Sequence, residues 1–101
     1  MSLQFEWDSK KAERNVAKHG VSFEEAITVF ADPLARIFND EDHSGDERRE
    51  IIIGHSTQQN LILVSLTGVD RVRILSARKA TRTERIDYEE NLSSKKETDE
   101  T

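Results

Sequence analysis

The stretch REIIIGHSTQQNLILVSLTGVDRVRILSA, residues 49–77, decides the fold of this chain. It contains three runs rich in β-branched and other apolar residues, about Arg49 to His55, Leu61 to Thr67 and Arg71 to Ala77. The polar connections between the runs are short, and strands joined this closely pair as antiparallel hairpins, because a parallel pair needs a crossover of roughly a dozen residues or more. The stretch therefore predicts an antiparallel meander.

Two short helices are predicted before the meander. Asp8 is one of the residue types preferred at an N-cap, and the helix that it opens should run to about His19. Gly20 then fits the C′ position, where a left-handed residue commonly ends a helix. Ser22 and Glu25 stand in capping-box spacing and predict the start of a second helix.

Short elements complete the pattern on either side of the meander. A strand is predicted around Leu3 to Trp7 and another over Leu34 to Phe38, after Pro33 has ended the second helix. Thr81 and Glu84 form a further capping box and open a C-terminal helix. The predicted fold is α+β, with two N-terminal helices packed on a small antiparallel sheet and a C-terminal helix.

Length and composition exclude several classes of protein. The chain has 101 residues, no cysteine and four glycines, which excludes disulfide staples and thiolate metal sites and argues against a glycine-rich phosphate loop. No apolar run approaches membrane-spanning length, and the start lacks a signal-peptide profile, so we expect a cytoplasmic protein with no membrane contact. We expect one domain over residues 1–92, no cofactor or metal, and a disordered tail over 93–101, which has no apolar residue.

The net charge of −5 argues at first against a nucleic-acid partner, but the charge is unevenly distributed. Residues 1–43, 44–85 and 86–101 carry net charges of −4, +3 and −4. Seven of the eight basic residues in the middle segment are arginines, whose planar guanidinium pairs bidentately with phosphate. Arg71 and Arg73 alternate with Val72 and Ile74, so the two arginines should share the face opposite the core. A solvated sheet face with ordinary surface arginines is the alternative interpretation.

Residues across most of the chain resemble the BrnT family. The similarity is most specific in a lysine, histidine, glycine block near the start and in the run RILSARKA, residues 73–80. The matching residues are Phe5, Glu6, Trp7, Asp8, Lys11, Asn15, Lys18, His19, Gly20, Val21, Ser22, Phe23, Glu24, Ala26, Val29, Phe30, Asp32, Pro33, His43, Ser44, Glu47, Arg48, Ile53, Gly54, Arg73, Ile74, Ser76, Ala77, Arg78, Lys79, Ala80, Glu84, Arg85, Tyr88 and Glu89.

This resemblance implies a RelE-like ribonuclease toxin of a type II toxin–antitoxin module, which cuts RNA to inhibit translation and growth. It also implies a neutralising protein partner, a BrnA-like antitoxin of the ribbon-helix-helix type. Operator DNA would be reached only through that antitoxin. Exposed apolar surface in so small a domain would suit a homodimer or the antitoxin equally well.

RNA cleavage without a metal needs a base for the 2′-hydroxyl, cations for the charged phosphorane and an acid for the leaving oxygen. Arg78 and Arg82 are the first candidates for stabilisation, because they lie where a strand runs into a helix start with its positive dipole. His43 and Glu47, four residues apart in an acidic loop, are the catalytic acid and base candidates, with His55 a further one. The candidate RNA-binding residues are Arg48, Arg73, Lys79 and Arg85.

Each candidate also has a purely structural interpretation. His43 is then an ordinary residue of an exposed loop, and Glu47 forms an ion pair with its neighbour Arg48. The chain also departs from the family pattern, with Gln59 and Asn60 where a Gly-Arg pair is common, and without the usual Thr-Glu-Arg after Leu66. A second hypothesis follows from these departures: a catalytically weakened member that binds the antitoxin and tunes operon autoregulation.

Overall fold

The computed structural model describes residues 3–40, 48–68 and 70–99. Its elements, in chain order, are strand β1 (Phe5–Glu6), helix α1 (Ser9–His19), helix α2 (Phe23–Thr28), a 3-10 turn (Val29–Ala31), strands β2 (Arg36–Asn39), β3 (Arg49–His55), β4 (Leu61–Thr67) and β5 (Val72–Lys79), and helix α3 (Arg82–Asp99).

The described strands form one five-stranded sheet in the order β1-β5-β4-β3-β2. Strands β2 to β5 pair antiparallel in sequence order, which confirms the meander. Strand β1 pairs parallel with β5, with Phe5 opposite Val72, so the sheet is mixed and the prediction of a wholly antiparallel sheet is wrong. A parallel pair needs a long crossover, and the whole segment between β1 and β5 supplies it.

The predicted bounds of β3 and β4 are confirmed, whereas β2 starts two residues later than predicted, at Arg36. The reason is a turn after the second helix, which keeps Leu34 out of the sheet. The Asp32 carboxylate accepts a hydrogen bond from the Leu34 N–H at 2.9 Å, and the Ala35 N–H donates to the Asp32 carbonyl at 3.1 Å. Polar turns of this kind compete directly with strand pairing.

Strand β5 contains a bulge. Ser76 is opposite Ser65 while Ile74 is opposite Leu66, so Leu75 is an extra residue between two paired positions. The bulge shifts the alternation of side chains by one residue. Ile74 and Ala77, three residues apart, are therefore both buried in the same apolar cluster, although a regular strand would place them on opposite faces.

The sheet separates two apolar clusters. The larger cluster packs residues from the α2 region, among them the fully buried Phe23, against Ile52 and other strand residues. The smaller one joins Ile53 and Leu63 to Tyr88 of α3. Neighbours along a strand face opposite ways, so Ile52 and Ile53 mark two faces, which we name the α2 face and the α3 face. Burying one side chain as large as Phe23 contributes about 2 to 3 kcal/mol.

Helix α1 packs along the outer edge of β5. The Asn15 amide Nδ2 donates to the carbonyls of Ala77 and Val21 at 2.8 and 2.9 Å, and Asn15 Oδ1 accepts from the Ala77 N–H at 3.1 Å. Strand β1 pairs only with the start of β5, so the Asn15 side chain supplies the hydrogen bonds that a longer neighbouring strand would supply to Ala77. This buried amide fixes the position of α1 against the sheet.

The predicted caps of α1 are confirmed. Asp8 Oδ1 accepts hydrogen bonds from the N–H groups of Lys10 and Lys11 at 2.8 and 3.2 Å, and these bonds lower the pKa of Asp8. Gly20 ends the helix with φ of 70°, a left-handed conformation that suits glycine.

The two predicted capping boxes differ. At the start of α3 the box is reciprocal, because the Thr81 N–H donates to Glu84 Oε1 at 2.8 Å and the Glu84 N–H donates to Thr81 Oγ1 at 3.2 Å. At the start of α2 Ser22 Oγ accepts from the Glu25 N–H at 3.0 Å. The buried Glu25 carboxylate instead accepts hydrogen bonds from Ser56 and Asn60 in the loop between β3 and β4.

Helix α3 continues to Asp99, beyond Leu92, where the sequence predicted the helix to end. The added residues are SSKKETD, without an apolar side chain, so the domain boundary at Leu92 stays a prediction. Tyr88 anchors the helix, since its ring is buried and its hydroxyl donates to the Leu34 carbonyl at 3.1 Å. None of the helices in the described residues combines the length and the apolar character needed to span a bilayer.

Candidate nucleic-acid interface

A row of basic residues crosses the α3 face at the end of the sheet where β3 and β5 begin. Arg49 of β3 is opposite Thr67 of β4, and Thr67 is opposite Arg73 of β5. Arg49 shares the face of Ile51 and Ile53, because it lies two and four residues from them on the same strand. Two strand spacings place the two arginines roughly 10 Å apart across the sheet.

The bulge in β5 brings a further arginine to the same face. Arg73 and Arg78 are five residues apart and would lie on opposite faces of a regular strand. With Leu75 bulged, Arg78 stands opposite Leu63, which belongs to the α3-face cluster. Arg73 and Arg78 therefore share one face of the sheet, whereas Arg71, which was predicted to share a face with Arg73, lies just before β5.

Arg78 is held by a carboxylate of helix α3. Its Nη1 and Nη2 donate to the two carboxylate oxygens of Glu84 at 2.7 and 2.8 Å, a bidentate pair. These hydrogen bonds keep the pKa of Glu84 at about 2 and raise the pKa of Arg78. Both groups are therefore charged at neutral pH, and a phosphate that binds Arg78 has to compete with Glu84.

Arg73 also has an acidic neighbour. Its Nη1 donates to Glu6 Oε2 of β1 at 2.9 Å, and Arg71 Nη1 lies 3.7 Å from Glu6 Oε1. All three side chains are at least partly exposed, so these pairs are weakened by solvent and can exchange partners at little cost.

The other predicted phosphate ligands fall into two places. Lys79, Arg82 and Arg85 are exposed around the junction of β5 and α3, next to Arg78. Arg48 is exposed beside the row that contains Arg49, and its carbonyl accepts from Thr67 Oγ1 at 2.6 Å. The structure thus divides the predicted basic residues between the two ends of β5. Four lie together at its C-terminal end, namely Arg78, Lys79, Arg82 and Arg85. The other two, Arg48 and Arg73, lie at its N-terminal end. The catalytic acid and base candidates, His43 and Glu47, lie outside the described residues.

His55 lies far from this basic row. It ends β3 six residues from Arg49, a distance of roughly 20 Å along the strand. Its N–H donates to Asp32 Oδ2 at 2.7 Å, and its ring meets Tyr88 edge to face with 5.7 Å between ring centroids. These contacts give His55 a structural role in joining α3 to the sheet.

A polar basin of about 240 Å³ opens on the α3 face beside the basic row. Sequence reasoning missed its two cations, which come from different elements, namely Lys11 of α1 and Arg49 of β3. The alternation of residues 49, 51 and 53 was the available signal for Arg49. For Lys11 the available signal was its place among the residues that resemble the BrnT family, but only the packing of α1 against the edge of β5 brings it to this face. Within residues 3–40, 48–68 and 70–99, the polar basin is lined by Lys11, Asp40, Arg49, Ser65, Leu75 and Ser76.

Metal binding has no support among the residues that the structure describes. No group of three or more histidine, cysteine, aspartate or glutamate side chains there is placed to hold an ion. The chemistry of the α3 face is that of guanidinium, ammonium and hydroxyl donors, which are ligands for anions such as phosphate.

A mixed sheet with an arginine-rich, partly uncovered face defines a small α+β protein suited to bind a polyanion. The family model described as "Ribonuclease toxin, BrnT, of type II toxin-antitoxin system" matches residues 7–84. The chain therefore belongs to the BrnT family of ribonuclease toxins of type II toxin–antitoxin systems, whose members act on RNA and have a protein antitoxin as partner.

The fold is similar to that of a solved structure. This is the 1.1 Å crystal structure of the Brucella abortus ribonuclease toxin, BrnT, with a TM-score of 0.61 and 24% sequence identity. The similarity covers 80% of this chain and 100% of the Brucella chain. No curated protein matches the sequence.

The structure explains the departures from the family pattern. Gln59 has φ of 68°, the conformation that a glycine at this position adopts without strain. Asn60 Nδ2 donates to Glu25 Oε2 at 2.8 Å, so an arginine here would face a carboxylate of α2. Gly68 has φ of 116°, and a side chain there would collide with the Arg71 carbonyl. The turn after β4 in this chain therefore requires a glycine at this position. The missing arginine at position 60 therefore removes no ligand from the α3 face.

Proposed function

We propose that this chain is an endoribonuclease toxin that cuts RNA without a metal ion and is neutralised by a BrnA-like antitoxin. The observation that carries the proposal is the α3 face of the sheet, which carries Arg49, Arg73 and Arg78 and has a polar basin beside Arg49. Membership of the BrnT family supports RNA as the anion that this face binds. The domain then belongs to the RelE-like class of toxins, acting in the cytoplasm.

The proposed reaction is attack of a ribose 2′-oxygen on the adjacent phosphorus. The 2′-hydroxyl proton passes to a base as the new P–O bond forms, the bond from phosphorus to the 5′-oxygen breaks, and an acid protonates the leaving oxygen. We assign the acid and base roles to His43 and Glu47. The products are a 2′,3′-cyclic phosphate and a free 5′-hydroxyl.

Cations lower the barrier by stabilising the doubly charged phosphorane. We assign this role to Arg78 and Arg82 at the junction of β5 and α3, where the helix start adds positive potential. The neighbouring basic residues hold the flanking phosphates and so fix the register of the RNA strand. This effect depends on charge and not on the identity of the nucleobases. These residues are Arg48, Arg73, Lys79 and Arg85.

The antitoxin is proposed to be a ribbon-helix-helix protein that carries the complex to operator DNA, with the toxin making no DNA contact of its own. Exposed apolar side chains at Ile37 and Phe38 of β2 offer surface for the antitoxin or for a second copy of the chain.

A direct test is cleavage of RNA by the purified chain with EDTA present. We expect fragments that end in a cyclic phosphate, with Arg82→Ala lowering the rate on the order of 10²-fold without unfolding the domain. Addition of the protein encoded beside this chain should stop cleavage. Intact RNA after incubation with the wild-type chain would contradict enzymatic function.

The second candidate function is an antitoxin-binding module with weakened catalysis. The specific observation in its favour is that two of the predicted phosphate ligands, Arg78 and Arg73, are already paired with Glu84 and Glu6. Under this hypothesis the chain forms a tight complex with the antitoxin and alters its operator binding, while RNA stays intact.

A further inference from the structure

We infer that the polar basin of the α3 face is the subsite that holds an RNA phosphate, with Lys11 and Arg49 as its two cationic ligands. This inference rests on the proposed function and deepens it, because neither residue was among the predicted ligands. The basin has a volume of about 240 Å³. One water occupies about 30 Å³ of liquid, so the basin has room for a phosphate group and bridging waters.

The charges of Lys11 and Arg49 distinguish the basin from the rest of the face. Within residues 3–40, 48–68 and 70–99, neither side chain forms an ion pair, whereas Arg73 and Arg78 both have carboxylate partners. A phosphate can therefore bind Lys11 and Arg49 without first displacing a carboxylate from either of them. Among the described residues of the lining, Asp40 is the single acidic one, against the two cations Lys11 and Arg49.

Neutral donors complete the subsite. Ser65 and Ser76 are directly opposite each other on β4 and β5, and both line the basin. Each hydroxyl can donate one hydrogen bond to a phosphate oxygen. The pairing of the two strands fixes the spacing of the hydroxyls, so little ordering is required when the anion binds.

The position of Lys11 is set by buried contacts. Lys11 lies four residues before Asn15, on the same side of α1. Asn15 is tied to Ala77 of β5 and to Val21 by three hydrogen bonds of 2.8 to 3.1 Å. On the other side of the basin, the Asp40 N–H donates to the Arg49 carbonyl at 3.0 Å and holds the end of β2 against β3. The cations are thus carried by two rigid elements that converge on one place.

The test uses an RNA oligonucleotide with 2′-O-methyl groups, which binds but lacks the attacking hydroxyl. Its affinity is measured by fluorescence anisotropy over a range of salt concentrations for Lys11→Gln and Arg49→Gln. Each variant should weaken binding on the order of tenfold and reduce the slope of log affinity against log salt by about 0.7, the value for one lost phosphate contact on a single strand. Arg49→Lys keeps the charge and should retain the wild-type slope.

Lys10→Gln is the matched control, since Lys10 is exposed on the same helix and does not line the basin. Unchanged affinity and salt slope in both folded basin variants would overturn the inference, and so would an equal loss in Lys10→Gln. If Arg49→Gln fails to fold, Lys11→Gln decides the question. If the wild-type chain cleaves RNA while the basin variants bind it normally, the inference about the basin fails and the proposed function stays intact. If the wild-type chain neither binds nor cleaves RNA, the proposed function and the inference are both overturned.

Discussion

Gln59 shows how one residue can carry backbone strain. Among the described residues other than glycine, it alone has a positive φ, at 68°. A left-handed conformation costs an L-residue with a Cβ about 1 to 2 kcal/mol, and glycine adopts it freely. Backbone geometry therefore favours a glycine at this position.

We predict that Gln59→Gly stabilises the domain by about 1 kcal/mol or less, since relief of strain outweighs the greater freedom of glycine in the unfolded chain. Urea unfolding would measure the change. Gln58→Gly is the control, because Gln58 is a neighbour in the same loop without a positive φ and should be destabilised by the substitution. Equal destabilisation by both substitutions would contradict the explanation.

The pair of Arg78 and Glu84 predicts a dependence of stability on pH. The pKa of Glu84 is lowered from 4.5 to about 2 by its hydrogen bonds with Arg78. A lowered pKa in the folded state stabilises the protein above pH 4.5, and this contribution is lost as the pH falls from 4.5 towards 2. Denaturant unfolding across this range should show a steeper loss for the wild-type chain than for Glu84→Gln.

Glu84→Gln should have a second effect, because it releases Arg78 from its ion pair while the amide oxygen can still accept from the Thr81 N–H. We expect tighter RNA binding and a loss of stability of about 1 kcal/mol or less, as is usual for partly exposed pairs. Thr83→Gln, one residue away and exposed, is the control. Unchanged RNA affinity in Glu84→Gln would show that Arg78 has no contact with phosphate.

At the scale of elements, the buried Asn15 amide supplies the side-chain hydrogen bonds that tie α1 to β5 among the described residues. Replacing Asn15 with Ala leaves the N–H and carbonyl of Ala77 and the carbonyl of Val21 without their partner, in a buried place. We predict a loss of about 3 kcal/mol, since each buried polar group left without a partner costs about 1 to 3 kcal/mol.

Denaturant unfolding of Asn15→Ala and hydrogen exchange at the Ala77 amide would check this prediction. Arg14→Ala, at an exposed neighbouring position on α1, should leave both unchanged. If the two variants have the same stability, α1 is held in another way.

Strands and caps were predictable from sequence where local pattern decides them. The bounds of β3 and β4 and both ends of α1 follow from alternation and from residues such as Asp8 and Gly20, and all are confirmed. The parallel pairing of β1 and the bulge at Leu75 were not predictable, because both depend on contacts between distant parts of the chain.

The candidate site was also predictable from sequence only where local pattern decides it. The sequence indicated the arginine-rich segment but not which arginines would be paired, and the ion pair of Arg73 with Glu6 joins residues 67 positions apart. The contribution of Lys11 also depends on tertiary packing, since α1 reaches the basin only by lying along β5. Roles for His43 and Glu47 stay predictions.

For the whole molecule, we predict that a chain ending at Leu92 keeps the full free energy of unfolding. Residues 93–101 contain no apolar side chain, so their removal takes nothing from the core. A chain ending at Asp87 is the contrasting variant, because it lacks the buried Tyr88 and should be strongly destabilised. Thermal unfolding of the two chains would test the boundary, and marked destabilisation of the longer one would contradict it.

The uneven distribution of charge along the chain reconciles a net charge of −5 with binding to a polyanion. The acidic excess lies in the first 43 residues and in the C-terminal segment, while Arg49, Arg73 and Arg78 of the middle segment lie on one face of the sheet. Because an acidic remainder repels RNA at long range, we expect slower and more weakly salt-dependent association than for a strongly basic toxin.

The parallel pairing of β1 with β5 also affects the order of events during synthesis. Phe5 meets Val72, and Asn15 meets Ala77, so the N-terminal residues find their partners only after most of the chain has been made. Closing such long loops slows folding, since the entropy of closure is lost before the contacts form. The polar basin draws on α1, β3, β4 and β5 together, and a partly translated chain therefore lacks it. We therefore expect a nascent chain to acquire this anion-binding surface only when translation is nearly complete.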